Sequence, residues 1–168
     1  MHDRNLLKNT LLFINGFNTG CIDKEKVDKY KTEIENNPKK CEEELGRVLL
    51  LLNRFIDKEK SIILSKLYKA YIYKKIDWNL FCECSDIVDR LFISDLKILK
   101  KIRNEDIDVM STREDVFRVE RLYSLGLIGI SWNREPIWEE IGSGHINSVR
   151  TISELGIKFC NIILSEEE

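Results

Sequence analysis

"RLYSLGLIGISWN", residues 121–133, decides how the C-terminal third of this chain folds. Leu122 and Leu125 carry a helical apolar spacing up to Gly126, and Leu127, Ile128 and Ile130 then follow as a strand. A glycine just past the last periodic residue supplies the left-handed position that stops a helix. A helix over 113–125 is therefore predicted to end at Gly126 and let a strand begin. The ending Leu-x-x-Leu-Gly-Leu-Ile is that of the third helix of a winged helix. On that pattern residues 133–148 form a wing, turned by Pro136, Gly142 and Gly144, and Val149 to Ile152 return as a second strand. Thr151 or Ser153 then caps a closing helix, "TISELGIKF", with Leu155, Phe159 and Ile162 or Ile163 facing in.

Upstream the chain reads as helix throughout. Leu6, Leu7, Leu11, Ile14 and Phe17 recur at helical spacing before Gly16, Asn18 and Gly20 stop the first helix. Asp23 caps a second, with Val27, Tyr30 and Ile34 as a narrow apolar stripe on a charged rod. Asn37 and Pro38 open a third over 38–56, bearing Cys41, Leu45, Val48, Leu49, Leu52, Phe55 and Ile56. Leu50 and Leu51 make it apolar nearly all round, which predicts a central position. Asp57 caps a fourth helix that turns Ile63, Leu64, Leu67, Tyr68, Ala70 and Tyr71 inward. Asp77 caps a fifth that buries Trp78, Phe81, Ile87, Val88, Leu91 and Phe92. Short links make helices three to five antiparallel neighbours. Ser94 caps or kinks a further stretch, "DLKILKKI", and Thr112 caps the helix at 113. The expected fold is mainly α: an antiparallel helical bundle over 1–102, a linker at 103–112, and a winged-helix-like helix, β-hairpin and helix over 113–168.

Composition sets the class. The chain has 168 residues, 43% of them hydrophobic and 33% charged, which describes a globular domain with a charged exterior. Eight glycines and two prolines favour helices over a turn-rich sandwich or barrel. The net charge of −2 gives no general attraction to nucleic acid or anionic lipid. Residues 113–168 hold six basic and ten acidic side chains, −4 net, which leaves +2 on the rest. "MHDRNLLKNTLLFINGF" lacks the apolar core of a secretory signal, and "VLLLL" at 48–52 is far too short to span a bilayer. The odd, scattered set Cys21, Cys41, Cys82, Cys84 and Cys160 fits reduced thiols and a cytoplasmic protein.

The residues offer little chemistry. With His2 and His145 alone, a His-rich metal site is out of reach, and Cys82-x-Cys84 on a helix sends its thiols to nearly opposite sides. "KAYIYKKIDWNLF" has the outline of a calcium loop, but Lys74 and Lys75 stand where oxygen ligands belong. Gly142-x-Gly144 lacks the third glycine of a phosphate-binding turn, and Ser143 beside His145 lacks a third partner. No enzyme, no cofactor and no metal are expected.

Two functions remain for the C-terminal unit. DNA binding would use Arg113, Arg118 and Arg121 on the helix with Arg134 and Arg150 on the wing. Glu114, Asp115, Glu120, Glu135, Glu139 and Glu140 cancel that charge. Contact with a protein, or with a second copy as a homodimer, would use Trp132, Ile137 and Trp138, since aromatic side chains concentrate in interface hot spots. Protein interaction is the leading expectation and a winged-helix DNA-binding regulator the alternative.

The stretch 36–99 also resembles a family of uncharacterised helical proteins of bacteria and phages. The resemblance lies in Pro38, Leu45, Gly46, Leu52, Asp57 and Lys60, in "LSKLYKAYI", in Ile76, Asp77 and Phe81, and in "IVDRLFISDL". It covers roughly residues 5–100, nearly all of them core and cap positions, so it implies a fold and no catalytic role. Members of that group carry a hydrophobic segment ahead of a helix similar to "RNLLKNTLLFINGF", and none stands there in this sequence. The resemblance implies a setting in prophages, mobile elements or defence and anti-defence systems.

Overall fold

The computed structural model describes residues 2–104, 113–132 and 148–164. Among these it is mainly α, with eight α-helices and one two-stranded antiparallel sheet. The helices are α1 (His2–Asn18), α2 (Lys24–Glu35), α3 (Pro38–Arg54), α4 (Lys58–Ile72), α5 (Trp78–Arg90), α6 (Leu96–Arg103), α7 (Arg113–Ser124) and α8 (Glu154–Ile163). A 3-10 turn, Ile93–Asp95, precedes α6, and strands β1 (Ile128–Trp132) and β2 (Ser148–Ile152) lie between α7 and α8. The chain forms two compact units. One runs to Ile93 and includes Asn161 onward, and the other runs from Ser94 to Cys160.

The helix starts of the first unit follow their capping residues. Asp23, Asn37 and Asp77 accept from the backbone N–H groups of Lys26, Lys40 and Leu80, and Pro38 opens α3. Asp57 holds the cap position of α4 without a side-chain cap bond. Helix α1 packs on both α3 and α4, α2 also contacts both, and α5 packs on α4. Asn9 donates to the carbonyls of Leu52 and Phe55 at 2.8 Å each, and Asn5 reaches Phe55 O at 3.0 Å. These bonds satisfy carbonyls that the end of α3 leaves open. Along α4, Gly16 faces Ile62 and Ser65, and Lys69 reaches Thr19 O, so α1 runs parallel to α4. Arg54 pairs with Asp89 at 2.7 Å and Arg47 with Asp86 at 2.7 Å, tying α3 to α5.

Several expected core positions face outward. Phe92 is 60% exposed and Ile56 90%. Each follows a C-cap residue with extended backbone, Leu91 and Phe55, which ends the helical face one position early. On α3, Leu45, Leu49 and Leu50 are exposed while Val48, Leu51 and Leu52 are buried, so the helix covers only one flank.

In the second unit α7 ends as the sequence predicts. Gly126 has φ +74°, its N–H reaches Tyr123 O at 2.9 Å, and the Leu127 N–H reaches Leu122 O at 3.1 Å. That pair of bonds is the Schellman closure. The strands pair Ile128 with Ile152 and Trp132 with Ser148. Ser153 joins the pieces: its hydroxyl donates to Gly126 O at 2.6 Å and accepts from the Gly156 N–H at 2.8 Å. Gly156 sits so close that a Cβ there would lie 2.0 Å from Leu127 O. Ile98, Leu99, Ile102, Val119, Leu122, Leu127, Ile128, Phe159 and Cys160 are buried.

Candidate interaction surface

Asp95 ends the 3-10 turn and occupies the N-cap position of α6, yet its side chain makes no cap bond. It is fully buried and turns to α7 instead. Arg121 donates to it through both arms of its guanidinium, Nε to Oδ2 at 2.8 Å and a terminal nitrogen to Oδ1 at 2.6 Å. Arg118 comes within 4.0 Å of Oδ1 and 3.9 Å of Asp115. A bidentate arginine matches a carboxylate edge to edge, so this pairing orients α7 as well as neutralising the buried charge.

Turning two arginines inward leaves a different face of α7 outward. Val116, Phe117, Glu120, Tyr123 and Ser124 share one side of the helix, and all five are exposed. Phe117 is 59% exposed, more than any other apolar side chain described on α7. The face is aromatic, aliphatic and acidic.

The residues expected to touch DNA therefore part company. Arg118 and Arg121 are drawn together on Asp95, with their side chains 26% and 40% exposed. Arg113 begins α7 and Arg150 lies in β2 opposite Ile130, but their side chains lie outside the described part. Of the expected protein contacts, Trp132 ends β1, its side chain likewise undescribed. Arg134, Ile137 and Trp138 lie outside the described residues, as do all of the expected wing 133–148 except Ser148 and the expected linker 103–112 beyond Asn104, Thr112 included. Phe117 and Val116 were not anticipated as a surface. Their spacing fits a helix, but which side is covered depends on Asp95, some twenty residues upstream.

The first unit holds a second polar cluster. Glu44 of α3 is buried, and its carboxylate accepts from Tyr30 and Tyr71, both at 2.6 Å. Tyr30 is 2.5 Å from the Tyr68 hydroxyl. Because the Tyr30 proton goes to Glu44, Tyr68 is the donor in that second bond. Lys40 stands 3.6 Å from Glu44 and pairs with Glu33, which also meets Lys74 at 3.6 Å. Burial pushes the hydroxyl of Tyr68 up to about 12, and raises Tyr30 and Tyr71 above the ordinary tyrosine range, with the Glu44 bond adding to the rise in both. Phe81 and Trp78 stack beside these rings with centroids 4.9 Å apart. The three hydroxyls and the carboxylate satisfy one another, which makes the cluster a brace between α2, α3 and α4. A depression of about 350 Å³ lined by Tyr71, Lys74, Lys75, Ile76, Asp77 and Trp78 lies at its rim.

Among the described residues no group of three or more His, Cys, Asp or Glu side chains could hold a metal ion. No described helix is long and apolar enough to cross a membrane. Cys82 is half-buried and Cys84 buried. No model of a protein family, no curated protein and no solved structure matches the chain.

Proposed function

We propose that the protein is a non-enzymatic interaction module whose C-terminal, winged-helix-like unit contacts another protein through the outer face of α7. One observation carries this reading. The helix that would read DNA in a winged helix presents Phe117 and Val116 outward, while Arg118 and Arg121 are held by Asp95. Affinity for DNA rests on cations offered to phosphates, and a face of this composition offers aromatic and aliphatic area instead. Trp132, Ile137 and Trp138, the contacts expected from the sequence, are further candidates in this reading. The partner is a second protein or another copy of this chain.

The alternative, a DNA-binding regulator, draws its support from the order helix, hairpin, helix, which winged DNA-binding domains share. A single set of measurements separates the two. Wild type and Phe117→Asp are compared by light scattering, by capture from the lysate of the source cells, and by DNA mobility shift at low salt. The expected result is a self-association or a captured protein that Phe117→Asp loses with its helix content intact, and no shift of DNA. A salt-dependent DNA shift that weakens when Arg118 and Arg121 become Ala would overturn the proposal.

A further inference from the structure

The outer face of α1 plays no part in that reading. Asn9 and Gly16 mark the side of α1 turned to α3 and α4. Leu7, Leu11 and Ile14, spaced i, i+4 and i+7, lie on the opposite side and are 62%, 53% and 46% exposed. They form an apolar ridge about 10 Å long at 1.5 Å of rise per residue.

The N-terminal end of this ridge is positively charged. Lys8 of α1 meets Lys58, the first residue of α4, and has Arg4 one turn away, and Lys58 is the main reason the Lys8 ammonium is held below the ordinary lysine range. Helices α1 and α4 both begin here, so the partial positive charge of two helix N-termini adds to three cations, against one carboxylate, Asp57, at the α4 cap. Among the described residues no carboxylate forms an ion pair with Arg4, Lys8 or Lys58, and Asp89 is engaged by Arg54. A depression of about 520 Å³ bordered by Arg4, Asn5, Leu7, Lys8 and Leu11 runs alongside.

We infer that this face docks an acidic amphipathic helix of a partner protein, its apolar stripe on Leu7, Leu11 and Ile14 and its carboxylates at Arg4, Lys8 and Lys58. A ridge with helical spacing fits the groove of another helix, and anchors at i, i+4 and i+7 are how helical peptides are read. Charge complementarity sets the sign, because like charge opposite this cluster costs affinity. The α1 of a second copy does not answer it, since Asp3 is its one carboxylate against Arg4 and Lys8. The surface lies on the first unit, so its failure and that of the α7 reading are separable.

The test is fluorescence anisotropy with two synthetic helical peptides that share one leucine stripe, flanked in one by Glu and in the other by Lys. The Glu peptide is expected to bind at least about tenfold tighter than the Lys peptide. Its affinity should drop about tenfold in Leu7→Ser/Leu11→Ser and in Lys8→Glu/Lys58→Glu, and stay unchanged in Phe117→Asp. All substituted positions are exposed, and circular dichroism verifies that each variant folds. Equal binding of both peptides, binding of neither, or indifference to both sets of substitutions would overturn the inference. So would wild-type co-sedimentation with phosphatidylglycerol vesicles without peptide binding, which would reassign the face to lipid. A dimer in light scattering that Leu7→Ser/Leu11→Ser abolishes would reassign it to a second copy.

Discussion

Asp95 shows how a single buried carboxylate can redirect a helix. It has no exposure, whereas the side chains of Arg118 and Arg121 retain 26% and 40% of theirs. This asymmetry makes the two sides of the pair unequal. Arg121→Ala leaves Asp95 buried with the more distant Arg118 and a long bond from the Ser94 hydroxyl, and should cost about 3 kcal/mol, in the range for breaking a buried ion pair from one side. Asp95→Ala leaves arginines that can swing to water, and should cost about half as much. Urea titration of both variants checks the order, and an Asp95→Ala loss equal to or above that of Arg121→Ala refutes it. The tyrosines around Glu44 give a second residue-scale expectation. Tyr30, Tyr68 and Tyr71 hold their protons more tightly folded than unfolded, so stability is intact below the ordinary tyrosine value near 10 and falls as pH rises through the folded values. For Tyr68 that window closes at about 12. Each tyrosine contributes a slope of about 1.4 kcal/mol per pH unit within its window. Urea midpoints at intervals from pH 9 to 11.5 should hold to pH 10 and then drop steeply, and a flat profile would show that the cluster does not brace the fold. Neither feature was legible in the sequence. Tyr30, Tyr68 and Tyr71 stood on expected inward faces, but nothing in the run Glu42, Glu43, Glu44 singles out Glu44 as the acceptor for Tyr30 and Tyr71. Periodicity assigns a residue to a face; it does not pair it with a residue on another helix.

Elements with local punctuation were the legible ones. Asp23, Asn37 and Asp77 start helices, Gly126 ends one, and Ser153 caps α8, because capping and left-handed turns need only neighbours a few residues away. Which flank of each helix is covered was less legible. Leu7, Leu11 and Ile14 have the same helical spacing as the residues that pack, and Asn9 and Gly16 define the covered side of α1 through contacts with distant chain. The junction from α7 through β1 to α8 combines both kinds of requirement, and its two glycines should respond differently to a methyl group. Gly126→Ala places a Cβ at φ +74° in otherwise open space, with Leu155 at 3.7 Å, for a conformational cost of about 1–2 kcal/mol. Gly156→Ala drives a Cβ to 2.0 Å from Leu127 O and 2.8 Å from Ile152, and a backbone carbonyl paired with the Ser153 N–H has little room to retreat. Its loss should reach about 3 kcal/mol, the upper end of overpacking costs. Thermal melts of the two variants decide the matter, since a Gly156→Ala protein that melts at or above Gly126→Ala would mean that α8 does not close on the strand this tightly.

At the scale of the whole molecule, charge balance bears on the proposed reading of the C-terminal unit more than any single residue does. Residues 113–168 carry −4 net, and Arg118 and Arg121 among them are engaged by Asp95, so the exposed cations Lys97, Lys100, Lys101 and Arg103 of α6 supply much of the positive charge of the second unit. The five cysteines give a readout of how the fold protects its interior. None is in a disulfide, and they differ in exposure: Cys21 is exposed, Cys41 and Cys82 are half-buried, and Cys84 and Cys160 are buried. Reaction requires the thiolate, and burial raises the thiol of Cys84 to about 12 and that of Cys160 above its ordinary value. Access and ionisation therefore act in the same direction. Timed alkylation followed by peptide mass spectrometry should modify Cys21 first, Cys41 and Cys82 more slowly, and Cys84 and Cys160 only as the protein opens. Cys84 belongs to the first compact unit and Cys160 to the second, so each thiol reports on its own unit. In rising urea the two should stay silent until their unit opens, after which their rates approach that of Cys21. Rapid labelling of Cys84 without denaturant would contradict the packing of α5, and the same result at Cys160 would contradict the seating of α8 in the second unit.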